Sequence, residues 1–185
     1  MKSLKGHLLI AAPTLLTPFF TRTVILMIEH GPGGAMGVVL NRPTDATVEA
    51  ISEELLEETL DWDKPILLGG PVSGPLMAIH SDPIWSDSEV FPGLYATVEI
   101  EKLRELLRIR CEPSLVIANY SGWSPGQLEG EFGEDSWITL PAQLDHVFRG
   151  PEDPDLWQVV VKQAGTRKLS EFLGIKDLPA DPSLN

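Results

Sequence analysis

Apolar residues along this chain come in short runs punctuated by glycine, proline and charge. Leu8 to Ala12 is the first, and Pro13 stops it. Thr23 to Glu29 (TVILMIE) is almost continuously apolar, bounded by Arg22 and by the glycines that follow. A run without polar alternation reads as a strand buried on both faces. His30 to Gly37 holds four glycines and a proline before Val38 to Leu40 resumes the apolar pattern. Two strands joined by a glycine-rich turn is the simplest account.

Helical spacing appears next. Over Thr47 to Leu60, Val48, Ile51, Leu55 and Leu60 fall near one face and five glutamates, Glu49, Glu53, Glu54, Glu57 and Glu58, occupy the rest. Pro65 to Leu68 and Leu76 to His80 look like strands flanking the turn Gly69-Gly70-Pro71. After a loop with Pro83 and Pro92, Leu94 to Thr97 is a short strand, and Thr97 is placed to cap a helix reaching about Arg110. Its inner face carries Leu103, Leu106 and Leu107. Ser114 to Ala118 is a further buried strand. Ser124, Pro125 and Gln127 supply a cap, a first-turn proline and a capping-box partner for another helix. Trp137 to Leu140 is a strand, Asp153-Pro154 starts a helix through about Gln163, and Leu169 to Leu173 adds a last turn. The pattern predicts an α+β fold, one compact domain over residues 1–178, with a mixed sheet and hairpins flanked by helices. Residues 179–185 read as a loose tail.

Composition narrows the function classes. At 185 residues, 43% hydrophobic and 22% charged, the chain fits one globular domain. Its 14 basic and 27 acidic side chains leave a net charge of −13, which repels phosphate backbones and anionic membranes. The most basic stretch, Lys102, Arg104, Arg108 and Arg110, alternates with Glu101 and Glu105 and reads as a solvated face with i,i+4 ion pairs. No basic recognition helix of a helix-turn-helix pair is present. Seven carboxylates and no base lie between Glu49 and Asp63, a segment that is a solubilising wall or a docking face for a basic partner protein. A single cysteine, Cys111, allows no internal disulfide and reads as a passive thiol in a reducing, cytoplasmic setting. Leu8 to Leu16 is interrupted by Pro13 and reads as part of the fold rather than as a leader. No run reaches the length of a membrane span.

Several separated segments carry a family resemblance. They are Gly6-His7-Leu8-Leu9-Ile10-Ala11-Ala12-Pro13, Glu29-His30, Gly34-Ala35-Met36-Gly37-Val38-Val39-Leu40-Asn41-Arg42-Pro43, Gly69-Gly70-Pro71-Val72, His80, and Tyr120 to Glu129. In that order they resemble the AlgH/YqgE family. Asn119 stands where that family more usually has glycine, Ser121 where it has alanine, and Ser124 where it has glycine. The resemblance implies a compact α+β domain and a bacterial protein with the label of a transcriptional regulator. It carries over no catalytic residue and no cofactor.

Candidate chemistry is sparse. Gly31 to Gly37 precedes a strand and lacks the lysine of a phosphate loop. Glu29, His30, His80 and Asp82 offer metal-type ligands, but the two pairs lie fifty residues apart without an i,i+4 histidine pair, and a hydrogen-bonded structural imidazole is the commoner outcome. No metal and no cofactor is expected. Gly122-Trp123-Ser124-Pro125-Gly126 matches the letters of a nucleophile elbow, but Pro125 removes a backbone N–H that the oxyanion hole would need. Strand ends often build pockets in such folds, which leaves His30, Asn41, Arg42, His80, Trp123 and Gln127 as a candidate ligand or partner site. Turn formation by Asn41 and Pro43, ion pairing of Arg42 and rim packing of Trp123 are the structural alternatives. The expectation is a regulatory or protein-interaction role; the competing one is a small-molecule binder or enzyme using these residues.

Overall fold

Leu8 and Leu9 are neighbours in the first strand, both without solvent exposure, yet they belong to different cores. Successive side chains of a strand point to opposite faces, so a strand with cores on both sides needs no polar alternation. In β1 (His7–Ala11), β2 (Val24–Gly31) and β3 (Gly34–Val39), Leu8, Ile10, Val24, Leu26 and Val38 line one core and Leu9, Ala11, Ile25, Met27 and Val39 the other. Each fully enclosed aliphatic side chain contributes roughly 1.5–3 kcal/mol, set against the entropy of ordering it. The computed structural model describes residues 2–149 and 153–173. The expected domain end at residue 178 and the tail, residues 179–185, lie outside them.

The α+β reading holds, with the strands divided between two sheets. The first is antiparallel throughout, in the order β10-β3-β2-β1-β11, where β10 is Ser121–Trp123 and β11 is Trp137–Pro141. The second has the order β4-β5-β9-β6-β8-β7. Its strands are β4 (Pro43–Thr47), β5 (Pro65–Leu68), β6 (Met77–His80), β7 (Ser88–Phe91), β8 (Leu94–Thr97) and β9 (Ser114–Ala118). Only the β5–β9 pair in it is parallel. Leu67, Met77, Ile79, Leu115 and Ile117 face the first sheet across the shared core, which α4 (Leu144–Arg149) and α5 (Leu156–Leu173) close with Val147, Leu156 and Val160. The outer face of the second sheet packs on α1 (Val48–Leu56) and α2 (Ile100–Arg108). The outer face of the first receives Leu128 from α3 (Gln127–Gly133) and the aromatic pair Phe19 and Phe20.

Several local expectations change. The helix expected over Thr47–Leu60 stops at Leu56: Thr47 caps it, but Glu57 turns left-handed at φ 60°, and Leu60 folds back so that its N–H donates to Ser52 Oγ at 2.9 Å. Thr97 does not cap α2. Its hydroxyl is buried, Glu99 holds the cap position without a side-chain cap bond, and Asp87 accepts the N–H groups of Val98 and Glu99 just before the helix, each at 2.7 Å. Ser124 is not the cap of α3 either; Gly126 holds that position, and the side chain of Gln127 accepts from Ser124 N–H at 3.1 Å. The strands flanking Gly69-Gly70-Pro71 are not a hairpin, because β9 lies between them. The ion pairs along α2 have i,i+3 spacing, and Arg104 and Arg108 also reach across to the carbonyls of Leu55 and Leu56, which α1 leaves unpaired at its C-terminus. Among the described residues no helix is long and apolar enough to cross a membrane.

The two sheets are joined through backbone at Gly69-Gly70. Gly69 N–H donates to Ala118 O at 2.8 Å, and Gly69 O accepts from Val39 N–H at 2.9 Å and from Ser121 Oγ at 3.1 Å. Val72 and Tyr120 then exchange a pair of backbone hydrogen bonds at 3.0 and 3.1 Å. A Cβ on Gly69 would lie 2.5 Å from Asn119 O, and one on Gly70 would overlap the Tyr120 carbonyl. Asn119 has φ 64°, the left-handed region in which glycine costs least and asparagine is enriched. That explains why asparagine stands in for the family's glycine. Gly70→Ala is expected to cost at least the upper part of the roughly 1–3 kcal/mol typical of overpacking, read as a lower urea midpoint at unchanged slope. Gly130→Ala, in α3 with nothing near its Cβ position, should be neutral or mildly stabilising. Equal midpoints for the two variants would contradict the junction.

Candidate functional site

The six candidate residues fall in three places. His80 ends β6 inside the protein with no exposure. Its Nε2 lies 2.8 Å from Thr97 Oγ1, and that hydroxyl donates onward to Trp85 O at 2.6 Å. The hydroxyl proton is therefore committed, so His80 Nε2 carries the ring proton and Nδ1 is left enclosed without a partner. Burial pushes the His80 pKa below its ordinary value, against the opposing pull of Asp82. His80 and His30 belong to different sheets, so the metal grouping of Glu29, His30, His80 and Asp82 does not form.

His30 sits near the end of β2 with its side chain 4% exposed. Its Nδ1 accepts Leu4 N–H at 2.9 Å, and its carbonyl accepts Ser3 Oγ at 2.9 Å, so the residue pins the chain's first residues to the sheet. Nε2 stands 3.3 Å from Glu129 Oε1, too poorly aligned for a hydrogen bond. Trp123 shares a cleft of about 470 Å³ with His30, floored by Gly31, Gly33 and Gly34. The glycine at 34 is required, since a Cβ there would overlap the carbonyl of Trp123 on the neighbouring strand.

Behind that cleft, Glu131 organises three side chains. Trp123 Nε1 and Trp137 Nε1 donate to its Oε2 at 3.1 and 2.7 Å, and Gln127 Nε2 donates to its Oε1 at 3.1 Å. The indoles meet edge to face with centroids 6.2 Å apart, and Phe20 packs on both. Trp123 is buried rather than a rim residue. Glu129 and Glu131 were not legible as partners, because three of the four residues they meet, His30, Trp123 and Trp137, come from separate strands.

Asn41 and Arg42 form the third place, at the corner between β3 and β4. Asn41 Oδ1 accepts Val24 N–H at 3.0 Å and its Nδ2 donates to Arg22 O at 2.8 Å. Arg42 Nη2 donates to Thr21 O at 2.8 Å and to Phe19 O at 3.4 Å. Rather than pairing with a carboxylate, Arg42 holds the 17–22 turn through its carbonyls. A cleft of about 460 Å³ opens there, lined by Arg22, Asn41, Arg42, Trp157 and Gln158 among others and by no described carboxylate. Arg22 lies 5.4 Å above the Trp157 ring, whose Nε1 donates to Ala11 O at 2.8 Å. The structure thus brings His30 and Trp123 to one cleft, Asn41 and Arg42 to another, and leaves His80 in the core. Cys111 is buried and burial raises its pKa, in keeping with a passive thiol. Among the described residues, no group of three or more metal-type side chains is close enough to hold an ion.

Two buried histidines give a pH dependence. His146 Nε2 donates to Gln163 Oε1 at 2.8 Å while its Nδ1 is enclosed, and burial lowers its pKa as it does that of His80. Both folded values lie below the unfolded 6.5, so acidification protonates the unfolded chain first. Their contribution to stability is present above that pH and falls as pH drops through it toward the folded values. Urea unfolding at about pH 7.5 and about pH 5.5 should give the lower free energy at the acidic end. Equal or higher stability there would contradict the burial assignment.

Comparison with other proteins places this architecture. A family described as AlgH-like matches residues 8–168. A UPF0301 protein of Shewanella denitrificans is 37% identical over 172 residues, covering 89% of this chain and 93% of that protein. A UPF0301 protein of Chlorobium luteolum is 38% identical, covering 97% and 94%. The solution structure of the AlgH protein from Pseudomonas aeruginosa superposes with a TM-score of 0.73 at 29% identity, over 93% of this chain and 94% of that one. A crystallised protein from Corynebacterium diphtheriae gives 0.69 at 25% identity, over 85% of each chain. With its fold and most of its length matched, the chain belongs to the AlgH-like family.

Proposed function

We propose that this protein works by binding rather than by catalysis, as a cytoplasmic regulatory or interaction protein whose effect on transcription, where it has one, is indirect. The observation that carries this reading is how the chemically able side chains are spent. A general base or a metal-ligating imidazole needs an accessible lone pair. That of His30 is taken by Leu4 N–H, and that of His80 is sealed in the core. Both ends of the Asn41 amide hold backbone, and Gln127 is spanned between Ser124 N–H and Glu131. These groups stabilise the fold, and the imidazole lone pairs that a general base would use are bonded or enclosed.

Charge favours a protein partner over DNA. Glu49, Glu53, Glu54 and Glu57 are exposed on and just beyond α1 and form no ion pair among the described residues. They offer a basic partner an acidic face. The arginines of α2 that a DNA-binding reading would need are engaged on α1 and on their own helix.

Crosslinking in the native cell, followed by reconstitution from purified components, tests the reading. The complex should weaken several-fold with added salt and in the variant Glu49→Gln/Glu53→Gln/Glu54→Gln/Glu57→Gln, which leaves the Glu58–Arg108 pair intact. Fluorescence anisotropy with duplex DNA should show only weak, salt-sensitive association. Substrate turnover by the purified protein that disappears in His30→Gln would overturn the binding reading, and a salt-resistant, sequence-dependent DNA shift would overturn the indirect one.

A further inference from the structure

We propose that the cleft between the 18–22 turn, the Asn41–Arg42 corner and the first turn of α5 binds the phosphate group of a small soluble molecule. Two arginines, Arg22 and Arg42, line this cleft, in a chain whose net charge is −13. Neither Arg22 nor Arg42 forms an ion pair with a described carboxylate, whereas Arg104, Arg108, Arg149 and Arg167 each do. Arg42 bonds through Nη2 alone, to neutral carbonyls. Its Nε and Nη1 donors have no protein acceptor among the described residues, and a guanidinium keeps its charge at any physiological pH.

Arg22 adds the second charge from a fixed position. Its backbone has φ 56°, a left-handed conformation that is unfavourable for a residue with a side chain. Asn41 Nδ2 holds it there through the Arg22 carbonyl. Glycine would serve this turn at lower cost, so the arginine side chain is the feature that the strain retains. Its guanidinium carbon lies 5.4 Å over the Trp157 ring, a cation–π contact, and its N–H donors have no acceptor among the described residues.

The start of α5 completes the anion's surroundings. Trp157 and Gln158 belong to its first turn and line the cleft, and their backbone N–H groups have no acceptor among the described residues. Asp153 takes two N–H groups of the turn, those of Asp155 and Leu156. Asp155 itself accepts from Gln158 Nε2 at 2.9 Å. Two guanidiniums and a helix start suit a dianion better than a singly charged carboxylate. At about 460 Å³ the cleft is larger than a phosphate alone, so the remainder of a small molecule fits beside it.

Titrating the full-length, isotope-labelled chain with inorganic phosphate at constant ionic strength tests this by NMR. Saturable shifts are expected at the Arg22 and Arg42 Nε–H signals and at Thr21, Trp157 and Gln158, with acetate weaker by about tenfold. Arg22→Gln, which removes no hydrogen bond to the backbone, should weaken phosphate binding by about tenfold while signals elsewhere stay in place. Arg42→Gln should do at least as much; should it fail to fold, Arg22→Gln decides. Shifts that do not saturate, or that scatter over the surface, would overturn the site, as would binding unchanged in Arg22→Gln. Acetate binding as tightly as phosphate would overturn the choice of ligand. None of these outcomes touches the partner-capture result, so the two proposals fail separately.

Discussion

Where β5 leaves its sheet, four strands must come within hydrogen-bonding distance of one carbonyl group and its neighbours. Gly69 O takes a bond from β3 and one from Ser121 at the start of β10, while Gly69 N–H returns one to the end of β9. Buried backbone groups must be paired, and here the only partners are strands of the other sheet or the edge of their own. The approach is so close that residues 69 and 70 have no room for a Cβ. The relative placement of the two sheets follows from this contact, and with it the core they share.

That core explains the strands' composition. Each sheet is covered on both faces, the first by the shared core and the aromatic layer, the second by the shared core and α1 with α2. The cost of enclosing so much backbone is visible in the polar side chains. His30, His80, Asn41, Ser121 and Gln127 each complete a hydrogen-bonding requirement of nearby strands, turns or helices. A side chain bonded in this way holds geometry and has little left to offer a substrate. Glu131 does the same for two tryptophans, satisfying both indole N–H groups within an apolar layer.

The Arg22–Arg42 cleft departs from this economy. Its donors are only partly consumed, its charges have no described carboxylate opposite, and one of its residues keeps a strained backbone. Asn41 and Arg42 were legible as polar residues at a strand end. Arg22 and Trp157 were not, because residues 135 positions apart in sequence meet only when α5 docks beside β1. The same holds for Glu129 beside His30, where a helix face reaches a strand end that no sequence period connects.

By itself the sequence determined the α+β class, the positions of the doubly buried strands and the acidic surface, because apolar runs, periodicity and charge are local properties of the chain. It also marked the two glycines of the junction, though only as a turn between two strands. Tertiary structure decided what local pattern cannot carry. Strand order placed β9 between β5 and β6, since a backbone edge pairs with whichever strand the packing delivers. Packing also shortened α1 so that Leu60 could be buried, and it left α2 without a side-chain cap because the Thr97 hydroxyl was committed to His80 and Trp85. Which polar residues are spent and which are left free is likewise a tertiary outcome, because a hydrogen bond needs its partner within about 3 Å, and chain neighbours rarely supply it.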